Sequence, residues 1–181
     1  MTNIGWWMLA FLGFPIGGAL ATALIGRMDS PLDGAIGGLV AGLVIGAAQA
    51  LALNRTQTAQ GASVGLWVAA TAVALAVGVG LSAALVGTET TLESILLRAA
   101  VTGAVLALAQ AAVIQQMGGR ALVWLILVAV LYIVAWFVTS RVIGASVDQG
   151  FIVFGASGAL VYQLLTGLAL RFVVFAPPGS G

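Results

Sequence analysis

The chain has 181 residues, of which 62% are hydrophobic and only 6% are charged, against a charged share of about 25% in soluble domains. Six basic and five acidic side chains cannot cover a water-soluble protein of this length, so most of the surface must face lipid. A net charge of +1 without a clustered basic face gives no support for nucleic-acid binding. The absence of cysteine and histidine removes disulfides, thiolate sites and the commonest ligand of transition metals and haem.

Six apolar segments follow one another with short polar breaks, and each could cross a hydrocarbon core of about 30 Å. Their unbroken runs of Ala, Leu, Val and Gly lack the alternation of a transmembrane β-barrel. The N-terminus lacks the basic region of a secretory signal, so the first segment is expected to be a retained helix. The sequence predicts an all-α integral membrane protein with one domain over 1–175 and an extended tail at 176–181. The predicted helices are 5–26, 31–53, 64–86, 92–116, 121–143 and 149–175.

A weak internal repeat of about 60 residues divides these segments into three helical hairpins, 5–53, 64–116 and 121–175. An even number of helices places both chain ends on one side of the membrane, called the terminal side below. The odd-numbered helices carry tryptophan near that side, where indole rings are expected at the lipid–water interface. These residues are Trp6, Trp7, Trp67 and Trp124. The pattern predicts a pseudo-threefold bundle of three hairpins.

Each even-numbered helix begins with a capping-box pattern, in which a hydroxyl residue is followed three positions later by an acid or amide. The three pairs are Ser30 with Asp33, Thr90 with Glu93, and Ser146 with Gln149. Each of these helices also contains one glutamine inside its apolar run, about 21–26 Å from the capped end. The glutamines are Gln49, Gln110 and Gln163.

The three glutamines form the only polar set predicted inside the apolar zone, and three interpretations stay open. The amides could converge on a pseudo-threefold axis and line a small pore or pocket. One amide oxygen could be an axial ligand of a pigment metal. Each amide could instead bond a carbonyl or hydroxyl group of a neighbouring helix, an interaction worth about 0.6 kcal/mol on average in membrane proteins.

Small residues at four-residue spacing are typical of close helix packing in membranes. The glycines predicted to serve this role are Gly38, Gly42 and Gly46 in the second helix, Gly78 in the third and Gly103 in the fourth. Pro15 is expected to distort the first helix. The fifth helix has no glycine, and its bulky face is predicted to contact lipid, a partner subunit or a flat apolar ligand. That face consists of Trp124, Tyr132, Trp136 and Phe137.

The ionisable residues offer little chemistry. All five acids lie near helix starts, where capping and the helix dipole explain them. Arg98 is the exception, because it lies farther inside a helix; it could pair with Glu93 or Ser94, but snorkelling to the interface is the favoured interpretation. The sequence contains no nucleophile–base pattern and no metal cluster, so an enzyme is not expected and no cofactor can be assigned.

The stretch from Gly38 to Leu53, G-x-x-x-G-x-x-x-G-x-x-Q-A-L-A-L, resembles a loose group of bacterial multipass membrane proteins with repeated Gly-rich hairpins. In that group a glutamine precedes an apolar run, often Trp-Leu, whereas this chain has Ala50 at the tryptophan position. The resemblance implies a similar type of fold, but it does not imply any activity. Six helices in about 180 residues also match the size of substrate-binding subunits of energy-coupling-factor vitamin transporters.

These observations favour a structural or accessory subunit of a larger membrane complex, such as a bioenergetic one, in contact with lipids and other integral-membrane subunits. The alternatives are a small-solute transporter or channel component that uses the three glutamines, and an apolar-ligand or pigment-binding protein. The expected location is the bacterial inner membrane. Because the arginines divide three to three between the two sides, the positive-inside rule gives only a slight preference for cytoplasmic termini.

Overall fold

The computed structural model describes residues 4–55, 62–143 and 153–175, and all regular structure in these ranges is helical. Six helices there are long and apolar enough to cross a membrane, which indicates a multipass integral membrane protein, as predicted. They are α1 (Ile4–Ile25), α2 (Pro31–Arg55), α3 (Ala62–Val86), α4 (Leu92–Gln116), α5 (Ala121–Ile143) and α6 (Ala156–Ala169), which continues as a π-helical turn over Leu170–Val174.

The first five helices lie within two residues of their predicted bounds. The sixth prediction, 149–175, is wrong at its start, because α6 begins at Ala156 and residues 153–155 are not helical. Residues 149–152 and the predicted tail at 176–181 lie outside the described residues. The non-helical Val153 and Phe154 are both buried, so this segment packs into the bundle before the helix begins.

Helix α1 contains the irregularity that Pro15 predicts. The α-helix over Ile4–Leu9 tightens into a 3₁₀ turn over Ala10–Leu12 and becomes α-helical again over Gly13–Ile25. Proline has no N–H to bond the carbonyl four residues earlier, and its ring crowds that carbonyl. The carbonyl in question belongs to Phe11, which lies inside the 3₁₀ turn.

Consecutive helices pack side by side, and α6 returns to the first half of α1, which closes the bundle. Glycines allow the backbones to approach at these contacts. A Cβ atom on Gly42 of α2 would lie 2.7 Å from the Ala72 Cα atom of α3. One on Gly78 of α3 would lie 3.0 Å from a Cα atom of α4. The remaining predicted packing glycines have similarly close neighbours: Gly38 and Gly46 face α3, and Gly103 faces α5.

The predicted capping boxes have three different outcomes. At the start of α2, the Asp33 N–H donates to Ser30 Oγ (3.1 Å), and Ser30 Oγ donates to the Asp33 carboxylate (2.7 Å). At the start of α4, the cap is Thr91 rather than Thr90, because Thr91 Oγ1 accepts from the Ser94 N–H at 3.3 Å. The pair Ser146 and Gln149 lies outside the described residues, and the N-cap of α6 is Gly155.

Candidate functional site

Three tryptophans from three odd-numbered helices meet inside the terminal half of the bundle. Trp7 of α1, Trp67 of α3 and Trp124 of α5 are at most 1% exposed. Their ring centroids form a triangle with sides of 5.9, 6.3 and 6.4 Å, and the rings meet in edge-to-face or tilted orientations. Such arrangements place the positive edge of one ring against the negative face of another. The three indoles therefore form a tightly packed aromatic cluster, called the tryptophan triangle below.

The prediction that these tryptophans lie at the lipid–water interface is wrong for all three members of the triangle. Trp6 alone of the four has the predicted exposure, at 44% of its surface. The Arg55 guanidinium lies 5.4 Å from the Trp6 ring centroid, within range of a cation–π contact. The neighbours Trp6 and Trp7 thus point in different directions, and a sequence pattern of tryptophans near helix ends does not distinguish the two positions.

A chain of hydrogen bonds begins at two tryptophans of the triangle, Trp7 and Trp67, and joins four helices. Trp67 Nε1 donates to Gln49 Oε1 at 3.2 Å, and Gln49 Nε2 donates to Gln163 Oε1 at 3.0 Å. Gln163 Nε2 then donates to the main-chain oxygen of Trp7 at 2.8 Å. Trp7 Nε1 donates to Thr166 Oγ1 at 3.0 Å, and that hydroxyl donates to the Tyr162 carbonyl at 2.7 Å. We call this series the glutamine network; it connects α3, α2, α6 and α1.

Gln110 lies outside this network. Its Nε2 atom donates to Thr71 Oγ1 of α3 at 3.0 Å, and its Oε1 atom is buried without a hydrogen-bond partner. The indole N–H of Trp124 is also buried without a partner. The structure therefore brings Gln49 and Gln163 together and leaves Gln110 bonded to a different residue. These contacts are of the kind that the third interpretation describes, amide bonds between neighbouring helices.

The aromatic face predicted for the fifth helix is mostly an interior face. Trp124, Tyr132 and Trp136 are at most 9% exposed, so the prediction that they contact lipid or a partner is wrong. Phe137 is the exception, with 41% of its surface exposed. This face is buried because Tyr132 packs against Gly103, which has no side chain and leaves room for a ring between α4 and α5. An apolar ligand that used all four side chains would have to enter the bundle.

A second aromatic cluster fills the bundle around Phe154, the residue just before Gly155 and α6. Phe154 stacks on Phe14 with ring centroids 4.8 Å apart, and it meets Tyr132 at 5.1 Å and Tyr162 at 5.5 Å. The sequence prediction missed Phe154, because it placed residues 149–175 in one continuous helix. The glycines at 150 and 155 were the available signal that this stretch is interrupted.

Arg98 is buried rather than snorkelling along the lipid surface. Only 9% of the residue is exposed, and its Nη2 atom donates to the main-chain oxygen of Glu89 at 3.0 Å. Among the described residues, no carboxylate lies within 4.0 Å of its guanidinium group. The pairing with Glu93 considered from the sequence is therefore not formed. The side chain turns toward the start of α4, but it does so inside the protein.

The chemistry of the network is that of neutral hydrogen-bonding groups. Amides, indoles and a threonine hydroxyl bind one another, and none of them exchanges a proton readily near neutral pH. Among the described residues, no group of three or more acidic side chains is placed to hold a metal ion. The arrangement is therefore suited to fixing helix positions. No family model, curated protein or solved structure matches the chain.

Proposed function

We propose that this protein is a non-enzymatic structural or accessory subunit of a larger integral-membrane complex. The observation that carries the proposal is the glutamine network, because it commits the polar groups of four helices to bonds with one another. The tryptophan triangle packs the same part of the bundle, and two of its members, Trp7 and Trp67, donate to the network. A bundle fixed in one arrangement presents a constant outer surface to other helices, which is what a docking subunit requires.

The surface proposed for docking is a groove of about 520 Å³ between α1 and the segment before α6. Gly18, Ala19 and Ala23 line one wall, and Phe14 and Phe154 line its inner end. Small side chains let a second helix approach closely, and close approach rather than burial drives helix association in lipid. We therefore propose one transmembrane helix of a partner subunit as the occupant.

Purification from native membranes in a mild detergent tests this proposal. The tagged full-length chain is expected to carry other membrane subunits with it, identified by mass spectrometry. Ala19→Trp places a large ring in the groove and is expected to reduce the co-purifying subunits about tenfold, since losing roughly 1.4 kcal/mol of binding energy has that effect. Val77→Trp is the matched control, because Val77 is 51% exposed on a different helix, α3.

A monodisperse species without any co-purifying subunit contradicts the proposed function. Equal loss of partners in Ala19→Trp and Val77→Trp contradicts the groove as the docking surface while leaving the subunit role in place. The two parts of the proposal can therefore fail separately.

We also propose that the three hairpins are copies of one ancestral unit, in the style of the Gly-rich bacterial proteins that the chain resembles. The support is that one tryptophan from each hairpin contributes to the triangle. The amide–indole bond from Trp67 of the second hairpin to Gln49 of the first is not repeated in the structure. Its counterparts, Gln110 Oε1 and Trp124 Nε1, are both buried without partners.

Double-mutant cycles test the repeat. Gln49→Leu with Trp67→Phe is expected to give a coupling energy of about 0.5–3 kcal/mol, since the two residues share a hydrogen bond. If the hairpins are equivalent, Gln110→Leu with Trp124→Phe should give a coupling of the same sign and similar size. A coupling near zero for the second pair, with a clear coupling for the first, contradicts equivalence at this position.

The proposed location is the inner membrane of a bacterium, with the chain ends in the cytoplasm. Arg55, Arg120 and Arg171 on the terminal side support this orientation, because Arg98, one of the three arginines on the other side, is buried inside the bundle. The chain has no cysteine, so one introduced cysteine is a unique label. A membrane-impermeant maleimide should label Asp29→Cys in intact spheroplasts and Gln116→Cys only after lysis; the reverse result contradicts the orientation.

A further inference from the structure

A small polar cavity lies at the end of the bundle away from the terminal side, between α3, α4 and α5. Its volume is about 20 Å³, and we call it the Arg98 niche. The side chains with polar atoms that line it are Arg98, Tyr132, Trp136, Ser82 and Thr102, and Met28 from the α1–α2 turn also contributes to its wall. None of these residues belongs to the glutamine network, so the niche is a separate feature of the molecule.

Two hydrogen-bond donors in the niche have no acceptor. The Nε atom of Arg98 and the hydroxyl group of Tyr132 are both buried without a hydrogen-bond partner. The other two hydroxyls are used internally: Thr102 Oγ1 donates to Ser82 Oγ at 3.3 Å, and Ser82 Oγ donates to the Val79 carbonyl at 2.9 Å. The niche therefore offers these two donors beside the indole N–H of Trp136, and no carboxylate lines it.

The charge of Arg98 is also uncompensated. The residue is 9% exposed. Its backbone lies about 9 Å from the start of a membrane-spanning helix, counted at 1.5 Å per residue from Leu92. Its one hydrogen bond goes to a neutral carbonyl oxygen, and no described carboxylate lies within 4.0 Å. A buried cation without a counter-charge is strongly unfavourable in a membrane protein, and such residues usually mark ion or substrate sites.

The size of the niche limits what it can hold. A cavity needs about 10–15 Å³ by the same measure to contain one water molecule, so 20 Å³ accepts a single small particle. Sulfate, phosphate and organic acids exceed this volume, so they could enter only in part, through the open side of the niche. A neutral water would satisfy the two donors but not the charge, whereas a monatomic anion satisfies both.

We propose that the Arg98 niche binds one halide-sized anion, held by the Nε–H of Arg98 and the hydroxyl of Tyr132. The anion completes both hydrogen bonds and neutralises the guanidinium inside the bundle. Chloride is the physiological candidate of this class. The site does not depend on the docking role proposed above, because it uses different residues on different helices.

Chloride-35 NMR on the full-length protein in detergent tests the site, because transient binding broadens the chloride signal in proportion to the bound fraction. The wild-type protein should produce excess broadening that bromide titrates away and that gluconate and sulfate at equal ionic strength leave unchanged. Arg98→Gln should abolish the effect. Tyr132→Phe keeps the ring and its packing, and should weaken chloride binding about tenfold through the loss of one hydrogen bond to an ion.

Arg120→Gln is the matched control, because it removes the same charge from an exposed position and should broaden the signal as the wild type does. If the wild-type protein gives no bromide-sensitive broadening, the niche holds water only and the proposal is wrong. If Tyr132→Phe binds chloride as tightly as the wild type, the proposal is equally wrong, and this outcome is decisive even where Arg98→Gln does not fold.

Discussion

At the scale of single residues, the protein uses amide side chains as connectors between helices. Gln163 illustrates this, since it accepts from Gln49 and donates to the main chain of Trp7, so one side chain joins α6 to both helices of the first hairpin. The residue is fully buried. An amide in that environment stabilises the fold only while both of its polar ends are bonded, because an unpaired buried donor or acceptor is costly.

We therefore expect Gln163→Leu to lower the free energy of unfolding by about 1–3 kcal/mol, because the Nε2 group of Gln49 loses its acceptor. Gln115→Leu is the matched control: it makes the same chemical change at an exposed position of α4 and should be nearly neutral. Thermal unfolding in detergent, followed by tryptophan fluorescence, measures both. Equal stabilities of the two variants would contradict the connecting role.

The same variant separates the structural interpretation from the transport hypothesis. If the three glutamines serve a solute path, Gln163→Leu should abolish flux in liposomes without a loss of stability. If they connect helices, the stability falls and any flux follows the amount of folded protein.

The sequence predicted the glutamines as a set but could not predict their partners. Periodicity places Gln49, Gln110 and Gln163 at similar positions along their helices, and two of them do meet. Which atoms bond depends on how each helix rotates about its axis, and a helix that is apolar on all sides carries no signal for that rotation. The same gap explains why the sequence pattern assigns the three triangle tryptophans to the interface rather than to the interior.

At the scale of helices, glycines decide how closely neighbours approach. Gly38 of α2 faces the backbone of α3, and a Cβ atom there would collide with the Leu75 carbonyl group. Gly65 lies in the first turn of α3, and a Cβ atom added to it would have no neighbour within 4 Å. Gly38 has no room for a methyl group and Gly65 has ample room, so the same substitution at these two sites makes a matched pair.

Gly38→Ala is expected to destabilise the protein by about 1–3 kcal/mol, because α2 and α3 must move apart to admit one methyl group. Gly65→Ala should be neutral or stabilising by up to about 1 kcal/mol, since alanine is the better helix former where space is available. Denaturation by an added harsh detergent ranks the two variants against the wild type. A stable Gly38→Ala variant would show that the α2–α3 contact is looser than the structure indicates.

Helix bounds were predictable where polar breaks interrupt the apolar runs, as at both ends of α4 and α5. The start of α6 was not predictable, because Val153 and Phe154 are as apolar as the residues of a membrane-spanning helix. Tertiary packing decides this segment: Phe154 inserts among the rings of Phe14, Tyr132 and Tyr162 from a non-helical stretch of chain. Apolar content alone does not distinguish a helix from a non-helical segment that is buried on all sides.

At the scale of the whole molecule, the glutamine network joins the three predicted hairpins, α1–α2, α3–α4 and α5–α6, to one another. The first hairpin contributes Trp7 and Gln49, the second contributes Trp67, and the third contributes Gln163 and Thr166. The glycine contact between α2 and α3 also lies between the first and second hairpins. Most of the described polar bonds inside the terminal half therefore join hairpins to one another, and the bundle should assemble from separate pieces.

This arrangement predicts that a chain divided between Thr58 and Ala59 still forms the bundle. Residues 1–58 and 59–181, expressed together, should co-purify in mild detergent, because each piece retains complete helices whose contacts do not need the covalent connection. Gln49→Leu in the shorter piece breaks the bonds to both other hairpins and should reduce recovery of the complex about 5- to 150-fold, the equivalent of roughly 1–3 kcal/mol. Gln116→Leu, an exposed position in the longer piece, should not change recovery.

If wild-type pieces fail to associate, the contacts between hairpins are too weak to define the fold. If Gln49→Leu associates as well as the wild type, the small-residue contacts rather than the glutamine network hold the hairpins together.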